Sequence, residues 1–419
     1  MPGEPWAPKE LSRLNNTGRR QHGAALILVL WALAIIGVVV AAMFSRSLLE
    51  RKAAYALRDQ TQARSLAQAG MTALISRFLA DTDAYDTSDE NWYTGTDLPA
   101  SADGTLAVKV ADLGSRVDLN LASQASLAAV FTGPKNPSDA LLDWRDHDGD
   151  PRRDGAEAPY YRALDPPLAP ADGFFETPEE VLLVKGMDEY RQLLEAETTI
   201  YGRANPNLIG ADVWSSLLRE ARIPDWENES LTKTFVAARA EALRKNQVPF
   251  PSLEDLRQLP NFTANTLALL KPYLTCQGRV NPNLADEVSL AAALTELGMP
   301  VELAKNILRA RQNGYFKSID EIRAVLPSDP AKAGRGWLEQ VFNVRTSLIG
   351  INVAARTKSG VMYSLEAVLE RLHPPLDDVH WYCRLIAWRE CSGEEPALPA
   401  APNRKEDKVA SLSCNRPRS

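Results

Sequence analysis

The chain has 419 residues, 45% of them apolar, and a formal net charge of -7, which is enough for two or three domains with cores of their own. The acidic balance argues against a nucleic-acid partner, because phosphate backbones attract an excess of lysine and arginine. The four cysteines, Cys276, Cys383, Cys391 and Cys414, are too few and too scattered for a disulfide scaffold or a zinc site. Cys383 and Cys391 could still pair in an oxidising compartment.

The first predicted element is a membrane-spanning helix. Residues Ala24 to Phe44 read AALILVLWALAIIGVVVAAMF, an apolar run long enough to cross a hydrocarbon core of about 30 Å. The segment before this run holds four basic residues against two acidic ones. This excess predicts that the N-terminus stays in the cytoplasm while the rest of the chain lies across the membrane.

The helical pattern continues beyond the apolar run. No proline occurs from 46 to 81, and only Gly70 weakens the pattern. A single helix from Ala24 to about Leu79 is therefore predicted, on the order of 85 Å long. By itself this pattern also fits a generic membrane anchor with an amphipathic extension. One face of the predicted extension carries Leu66, Ala67, Met71, Leu74, Ile75, Phe78 and Leu79.

Alternation of apolar and polar residues predicts four strands. The first is 104–112, and the others are 345–356, 361–372 and 379–389, with a hairpin turn at 358–360 between the second and third. Both blocks must share one sheet, because an isolated hairpin is marginally stable in water. From residue 391 onward Pro, Glu, Arg and Ser dominate, which predicts a disordered tail.

The stretch between the two strand blocks is mostly helical in pattern and contains an internal repeat. One motif reads RVDLNLA at 116–122, RANPNLI at 203–209 and RVNPNLA at 279–285. The other starts with a phenylalanine and continues into a helix start with the spacing of a capping box. We interpret the repeat as small helical bundles. The predicted capping pairs are Thr177 with Glu180, Ser252 with Asp255, and Ser318 with Glu321.

One segment has the pattern of a metal site. Residues 143–161 read DWRDHDGDPRRDGAEAPYY, and counting from Asp146 the carboxylates have the spacing of a twelve-residue calcium loop. Pro151 stands where such a loop needs glycine, so an EF-hand is not expected. A calcium-stabilised loop and a solvated acidic turn with Arg152 and Arg153 as counter-charges both stay open. The candidate ligands are Asp143, Asp146, Asp148, Asp150, Asp154 and Glu157.

No catalytic motif accompanies this loop. The four histidines are isolated in the sequence, and neither HExxH nor GxSxG nor a phosphate-binding glycine loop occurs. The sequence therefore nominates no catalytic residue, and we do not expect an enzyme.

Four stretches together resemble the K-type minor pseudopilins of the bacterial type II secretion system. They are Gly23 with the following AALILVLWAL, the acidic segment 142–161, the insert motif 174–187 and the final LIAWR at 385–389. The resemblance implies an α+β fold in which a pilin-like long N-terminal helix packs on a small antiparallel sheet, with a large all-α insertion of SAM-like or helix-hairpin-helix-like repeats between the strands. The implied boundaries are a leader 1–23, a transmembrane and amphipathic helix 24–81, sheet parts 82–120 and 341–390, an insertion 121–340 and a tail 391–419.

The resemblance also implies a function. Prepilin peptidase would cleave after Gly23 and leave Ala24 as an N-methylated first residue. Leu28 stands at mature position five, where most pilin-like subunits carry Glu and K-type subunits do not, which is consistent with the filament tip. The implied role is to initiate assembly and limit growth of the pseudopilus, as a single-pass inner-membrane protein with a periplasmic body. The implied partners are the I, J and H minor pseudopilins, the prepilin peptidase and the inner-membrane secretion platform, with calcium as a structural cofactor.

Two features depart from the family pattern, namely a long leader and a hydrophilic tail after Cys391.

The alternative function is a membrane-anchored DNA receptor, because the repeat resembles the helical pairs of helix-hairpin-helix modules. Such modules bind phosphate through glycine–apolar–glycine turns beside basic residues. Here the corresponding turns read KGM at 185–187 and PNF at 260–262, in an acidic chain.

Overall fold

A computed structural model describes residues 18–95, 98, 104–133, 136–326, 336–372 and 382–392. The predicted leader up to residue 17 and the predicted disordered tail from 393 lie outside the described residues. The chain divides into two compact units, Met1–Gln62 and Ala63–Ser419. Helix α1 runs from Gly18 to Ala80, which confirms the single long helix predicted from the absence of proline.

The first unit consists of the N-terminal part of α1. Side chains from 25 to 58 are all exposed, including the whole apolar run that follows Ala24. By length and composition this helix can cross a membrane. A change from apolar to charged residues at Arg46 marks the end of the apolar run.

The second unit contains a four-stranded antiparallel sheet in the order β1-β4-β5-β6, so the two predicted strand blocks do share one sheet. A separate parallel pair, β2 with β3, was not predicted because its strands are only two residues long. Gly360 adopts a φ of +92° in the predicted hairpin turn between β4 and β5. The strands are β1 Gly104–Asp112, β2 Val117–Asp118, β3 Thr198–Thr199, β4 Leu348–Thr357, β5 Met362–Leu372 and β6 Tyr382–Ser392.

One face of this sheet packs on the C-terminal part of α1. The helix buries Ala67, Met71, Leu74 and Phe78, spaced three or four residues apart as the sequence predicted. Gly70 lies where the helix comes closest to the sheet. A Cβ there would be 3.1 Å from side-chain carbons of β1 and β4, so glycine lets the two elements approach.

A buried ion-pair cluster joins the end of α1 to the sheet. Arg371 on β5 donates to Asp81 at 2.9 Å and to Asp86 at 2.5 Å, and its guanidinium lies 4.3 Å from the ring centroid of Phe78. Arg345 also contacts Asp81, at 2.8 Å. Neither local pattern nor composition indicated this cluster, because its arginines lie more than 250 positions from its aspartates in sequence.

Between β1 and β4 lies the predicted all-α insertion, with three separate hydrophobic cores in chain order. Short 3-10 turns at Met187–Tyr190, Leu253–Gln258 and Lys271–Tyr273 accompany the helices. The remaining helices of the described chain are α2 Asn91–Thr94, α3 Gln124–Val130, α4 Ser138–Arg145, α5 Ala158–Arg162, α6 Pro178–Val181, α7 Arg191–Glu197, α8 Ala211–Glu220, α9 Asp225–Arg244, α10 Ala264–Leu270, α11 Glu287–Glu296, α12 Leu303–Gln312, α13 Ile319–Val325 and α14 Leu338–Val341.

The sequence repeat is a structural repeat built on a buried asparagine. In the first copy Asn120 accepts from the backbone N–H of Phe175 at 2.8 Å and donates to the carbonyl of the same residue at 3.1 Å. Asn207 binds Phe250 in the same way, at 2.8 Å in both directions. The third copy repeats this pairing at 2.8 and 2.9 Å. Each asparagine therefore connects the two motifs of its own repeat, which explains why they recur together.

A second repeated contact was not visible in the sequence. Arg145 donates to the carbonyls of Leu119 and Ala122 at 2.7 and 2.8 Å, next to the first asparagine motif. Arg239 and Arg311 bind carbonyls of the second and third motifs in the same manner. Because these arginines lie on helices of different length and spacing, no fixed sequence interval marks them.

The predicted helix caps form in two of the three repeats. Ser252 and Asp255 make a complete capping box, although the aspartate is short for this role. Thr177 accepts from the Glu180 backbone N–H at 3.3 Å, but the Glu180 side chain accepts from the N–H of Glu176, so only half of this capping box forms. Ser318 makes no capping hydrogen bond, so the prediction of a capping box there is wrong. In that repeat the glutamate three residues later instead accepts from the backbone N–H of the residue before Ser318.

The suggested pairing of Cys383 with Cys391 is also wrong. Both residues lie on β6, about 26 Å apart at the rise of an extended strand, whereas a disulfide needs Cα atoms within about 7 Å. Cys383 and Cys276 are free thiols, and Cys391 is disulfide-bonded.

Candidate functional site

The acidic segment lies in the first helical repeat, between α4 and α5. Helix α4 ends at Arg145, whose buried guanidinium is held by the carbonyl contacts described above. The next helix begins at Ala158. Trp144 before the segment and Tyr161 after it pack edge to face, with ring centroids 4.9 Å apart. The ends of the acidic loop are therefore fixed by the core of the repeat.

Three of the six predicted ligands converge in this loop. Asp146, Asp148 and Glu157 each place a carboxylate oxygen within 4.8 Å of the others. Oδ1 of Asp146 and Oε1 of Glu157 are buried and accept no hydrogen bond from any described residue. A buried carboxylate oxygen without a donor is costly. Hard oxygen donors in this arrangement fit a calcium ion, and these three residues would hold it.

Asp143 is connected to this group through Arg152. Its side chain is completely buried, and Arg152 Nη1 lies 2.6 Å from its Oδ1 and 2.5 Å from Oδ2 of Asp146. One guanidinium thus neutralises one oxygen of each aspartate and leaves Oδ1 of Asp146 open. Gly155 passes directly over the same carboxylate, because a Cβ there would lie 1.8 Å from Oδ2 of Asp143. The need for glycine at this position was not recognised in the sequence.

The other two predicted ligands do not join the group of three. Asp150 and Asp154 are exposed. The backbone N–H of Asp150 donates to Asp148 at 2.9 Å, and that of Asp154 donates to Asp139 at 3.2 Å. The carboxylates are evenly spaced along the loop, but only three of them come close together in the structure.

Negative charge accumulates where the three carboxylates meet. Burial, together with the nearby charges of Asp143 and Asp146, raises the pKa of Glu157 to about 7. Burial also raises the pKa of Asp146, although Arg152 opposes this effect. Each of these shifts reflects an unfavourable ionised form that a bound cation would stabilise.

Lys185 binds the backbone of the acidic loop. Its Nζ donates to the carbonyls of Gly155 and Asp154 at 2.9 and 3.3 Å, and it lies 5.3 Å from the ring centroid of Tyr160. Sequence reasoning assigned this lysine only to a turn between helices. No local signal connects it with a loop 30 residues earlier.

A second acidic group, Asp81, Asp86 and Glu90, lies where α1 ends. Both aspartates are paired with arginines, as described for the fold, and Glu90 accepts from the indole N–H of Trp92 and from the Thr87 backbone at 2.6 Å. Burial raises the pKa of Asp86 to about 6 and that of Glu90 to about 7. Because two arginines pair with its two aspartates, this group joins the end of α1 to the sheet.

The predicted processing residues lie in the first turns of α1. Gly23 and Ala24 are both helical. Leu28 lies one turn further on and is 69% exposed. The cleavage itself stays a prediction.

Comparison with known proteins identifies the domain that carries the acidic loop. Residues 120–196 match the family described as type II secretion system (T2SS), protein K. The chain is similar to a chain in the crystal structure of the GspK-GspI-GspJ complex from the type 2 secretion system of enterotoxigenic Escherichia coli, with 15% identity and a TM-score of 0.46, over 84% of this chain and 100% of that one. No curated protein matches this sequence. The family that residues 120–196 match is the one that the sequence resembled.

Proposed function

We propose that this protein is the tip subunit of a type II secretion pseudopilus, where it initiates assembly and limits growth of the filament that drives export across the outer membrane. The observation that carries the proposal is the place of the protein K domain. Residues 120–196 are inserted between β1 and the strands β4 to β6 of a single sheet packed on a long helix. A bulky insertion suits a terminal subunit, because a shaft subunit must stack neighbours above and below.

The apolar residue at position 28 supports a terminal place. A carboxylate inside a membrane helix is costly unless a partner offsets it, and pilin-like subunits carry one that meets the N-terminal amine of a neighbour. Leu28 removes both the cost and the need for that neighbour. It is exposed on α1, where such a contact would form.

The location follows from the same helix. We infer a single-pass inner-membrane protein whose N-terminus is cytoplasmic and whose body is periplasmic, because the basic residues precede the apolar run. Prepilin peptidase would cut between Gly23 and Ala24 and allow methylation of the new N-terminus. The partners would be the I, J and H minor pseudopilins and the secretion platform. The solved complex pairs GspK with GspI and GspJ, and we extend that pairing to this chain.

Calcium is the proposed structural cofactor. Asp146, Asp148 and Glu157 would supply its carboxylate ligands, and the ion would offset the buried charge that Arg152 leaves uncompensated. Its contribution is to stabilise the first helical repeat, since binding to the folded state alone favours folding.

The role is non-enzymatic, and it does not include DNA binding. In the first of these turns Gly186 has a φ of +81°, and in the second Asn261 has a φ of +64°. The basic residue of the first turn, Lys185, is however engaged by two loop carbonyls. A phosphate would have to compete with these contacts in an acidic protein.

The proposal is tested in two steps. N-terminal sequencing of the chain coexpressed with prepilin peptidase should give Ala24 as the first residue, and Gly23→Asp should block cleavage and abolish secretion. Affinity capture of the processed chain should recover the I and J pseudopilins together. An unprocessed wild type, secretion supported by Gly23→Asp, or salt-sensitive binding of duplex DNA by the body would overturn it.

A further inference from the structure

The segment after α1 is attached to the sheet and to the third repeat through Asp86. Its backbone N–H donates to the carbonyl of Val344 at 2.8 Å, and its carbonyl accepts from the side chains of Asn281 and Asn283 at 3.3 and 3.2 Å. Its Oδ2 accepts from the backbone N–H of Thr346 at 2.6 Å, just before β4. Because both asparagines belong to the third motif, this one residue connects the end of α1, the sheet and the third repeat.

Three carboxylates lie close together at this connection. Asp81, Asp86 and Glu90 each place an oxygen within 4.8 Å of the others. Arg371 pairs with both aspartates, and so does Arg345. The cluster therefore contains one carboxylate more than it contains guanidinium groups, and with all three ionised it carries excess negative charge in a poorly solvated place. Such crowding of like charges favours the protonated form of one member.

Glu90 is the member best placed to carry that proton. One of its oxygens accepts from the backbone N–H of Thr87 at 2.6 Å, and the other accepts from the indole N–H of the buried Trp92. Both donors are neutral, and a neutral donor stabilises a carboxylate less than a charged one does. The two aspartates, by contrast, face the arginines.

Further charged groups lie around the cluster. Asp112 at the end of β1 is buried and adds another carboxylate that interacts with Asp86. Arg116 and Arg311 contribute positive charge near Tyr93 of α2. Both are engaged by backbone carbonyls, of residue 195 for the first and of residues 282 and 285 for the second. The surroundings therefore increase the crowding of carboxylates as well as adding cations.

The ionisation equilibria agree with this arrangement. Burial, together with the charges of Asp86 and Asp81, raises the pKa of Glu90 to about 7. Burial likewise raises the pKa of Asp86 and of Asp112 to about 6. For Asp81 the effect of burial is outweighed by hydrogen bonds, including one from Arg371, which lower its pKa. Protons taken up between pH 7.5 and 5.5 therefore go to the first three residues, while Asp81 stays ionised.

We propose that Asp81, Asp86 and Glu90 form a pH-dependent joint, in which the protonated cluster holds the segment 81–90 on the sheet and the third repeat, and ionisation of Glu90 loosens it. A carboxyl group whose pKa is raised by folding contributes stability below its unfolded pKa, and this contribution is lost as pH rises through the folded value. For Glu90 that window runs from pH 4.5 to about 7. The attachment of the sheet to the C-terminal part of α1 therefore weakens as the pH around the body rises.

Hydrogen exchange of the full-length chain in detergent, with a chelator present, tests the joint. The amides of Asp86 and Thr346 report its opening, because their hydrogen bonds cross it. After correction for the intrinsic effect of pH on exchange, their protection should fall roughly tenfold or more between pH 5.5 and 7.5. The amides by which β4 pairs with β1 should keep their protection, since those hydrogen bonds lie within the sheet.

Two variants separate ionisation from structure. Glu90→Gln keeps the size of the side chain and an acceptor for the Thr87 amide, but it cannot ionise. It should be better protected than wild type at pH 7.5 and lose less protection over the pH range. Asp89→Asn removes one charge from an exposed neighbour and should follow wild type.

Protection that does not change with pH in wild type would overturn the proposal, as would an equally large fall in Glu90→Gln. Lower protection of Glu90→Gln at both pH values would mean that Glu90 acts only as a hydrogen-bond acceptor, which also refutes it. If added calcium restores these amides at pH 7.5, a cation rather than a proton balances the cluster, and the proposal is wrong. None of these outcomes depends on processing at Gly23 or on capture of the other pseudopilins, so they leave the proposed function standing.

Discussion

The calcium proposal makes a prediction that contrasts two residues of the same loop. Glu157→Gln and Asp154→Asn each remove one negative charge and keep the size of the side chain. Glu157 is buried beside Asp146 and Asp148 with an oxygen that accepts no hydrogen bond from the described residues, whereas Asp154 is exposed and apart from that group. Calcium should therefore stabilise wild type and Asp154→Asn alike but fail to stabilise Glu157→Gln.

The size of the effect follows from mass action. Calcium at 100 times its dissociation constant stabilises the folded state by about 2.7 kcal/mol. Residues that only orient metal ligands already change affinity by about 10 to 100-fold, so loss of Glu157 as a direct ligand should cost at least the upper value. At the same calcium concentration the stabilisation of the variant then falls to about 0.4 kcal/mol.

The order of stabilities should reverse when calcium is removed. Burial raises the pKa of Glu157 to about 7, so at pH 8 its ionised form destabilises the calcium-free protein. In a chelator, Glu157→Gln is therefore expected to be at least as stable as wild type. Urea unfolding of the full-length chain in detergent, followed by tryptophan fluorescence at fixed pH and ionic strength, measures both states. Equal calcium shifts in Glu157→Gln and wild type would refute the assignment of the ligands, as would loss of the shift in Asp154→Asn.

Three further predictions concern stability. Asn207→Ala removes a side chain that both donates to and accepts from one buried backbone at 2.8 Å, so the free energy of unfolding in urea should fall by about 2–4 kcal/mol; no loss would mean that the repeat does not depend on this clamp. Burial and the carboxyl of Asp286 raise the pKa of Glu197 from 4.5 to about 8, so its contribution to stability is complete below pH 4.5 and is lost as pH rises through 8. Thermal melts from pH 4.5 to 9 should show a smaller decline in Glu197→Gln than in wild type, and parallel curves would contradict this. Gly155→Ala should cost about 1–3 kcal/mol in the same urea assay, because its Cβ would meet Asp143 at 1.8 Å; a neutral result would mean that the loop shifts freely.

The strands show which strand boundaries the alternation of apolar and polar residues can predict. The predicted range 104–112 coincides with β1, since its apolar residues alternate cleanly and glycine precedes them. The last strand was predicted at 379–389; residues 379–381 lie outside the described residues, and β6 spans Tyr382–Ser392, three residues beyond the predicted end. Its apolar residues do not alternate regularly, and the ladder between β5 and β6 shifts register at Val368 and Leu369, so no period marks its ends.

For the acidic loop, too, the sequence predicted one part and the tertiary structure decided the other. Carboxylate spacing located the loop and suggested the ion, because both depend on residues close in sequence. Two basic residues influence which carboxylates converge. Arg152 forms ion pairs with Asp143 and with one oxygen of Asp146. Lys185, in a turn 30 residues later, donates a hydrogen bond to the loop backbone. A regular spacing could not reveal that Asp150 and Asp154 stay exposed and do not join this group.

The sequence by itself determined the long helix and the existence of three related helical units, because each rests on an uninterrupted period or on a motif within a few residues. Tertiary structure decided how those parts hold together. The asparagine clamps join residues 55, 43 and 33 positions apart, and Arg371 reaches Asp81 across 290 positions. Such contacts leave no local signature, because their partners become neighbours only when the helices and the sheet have packed.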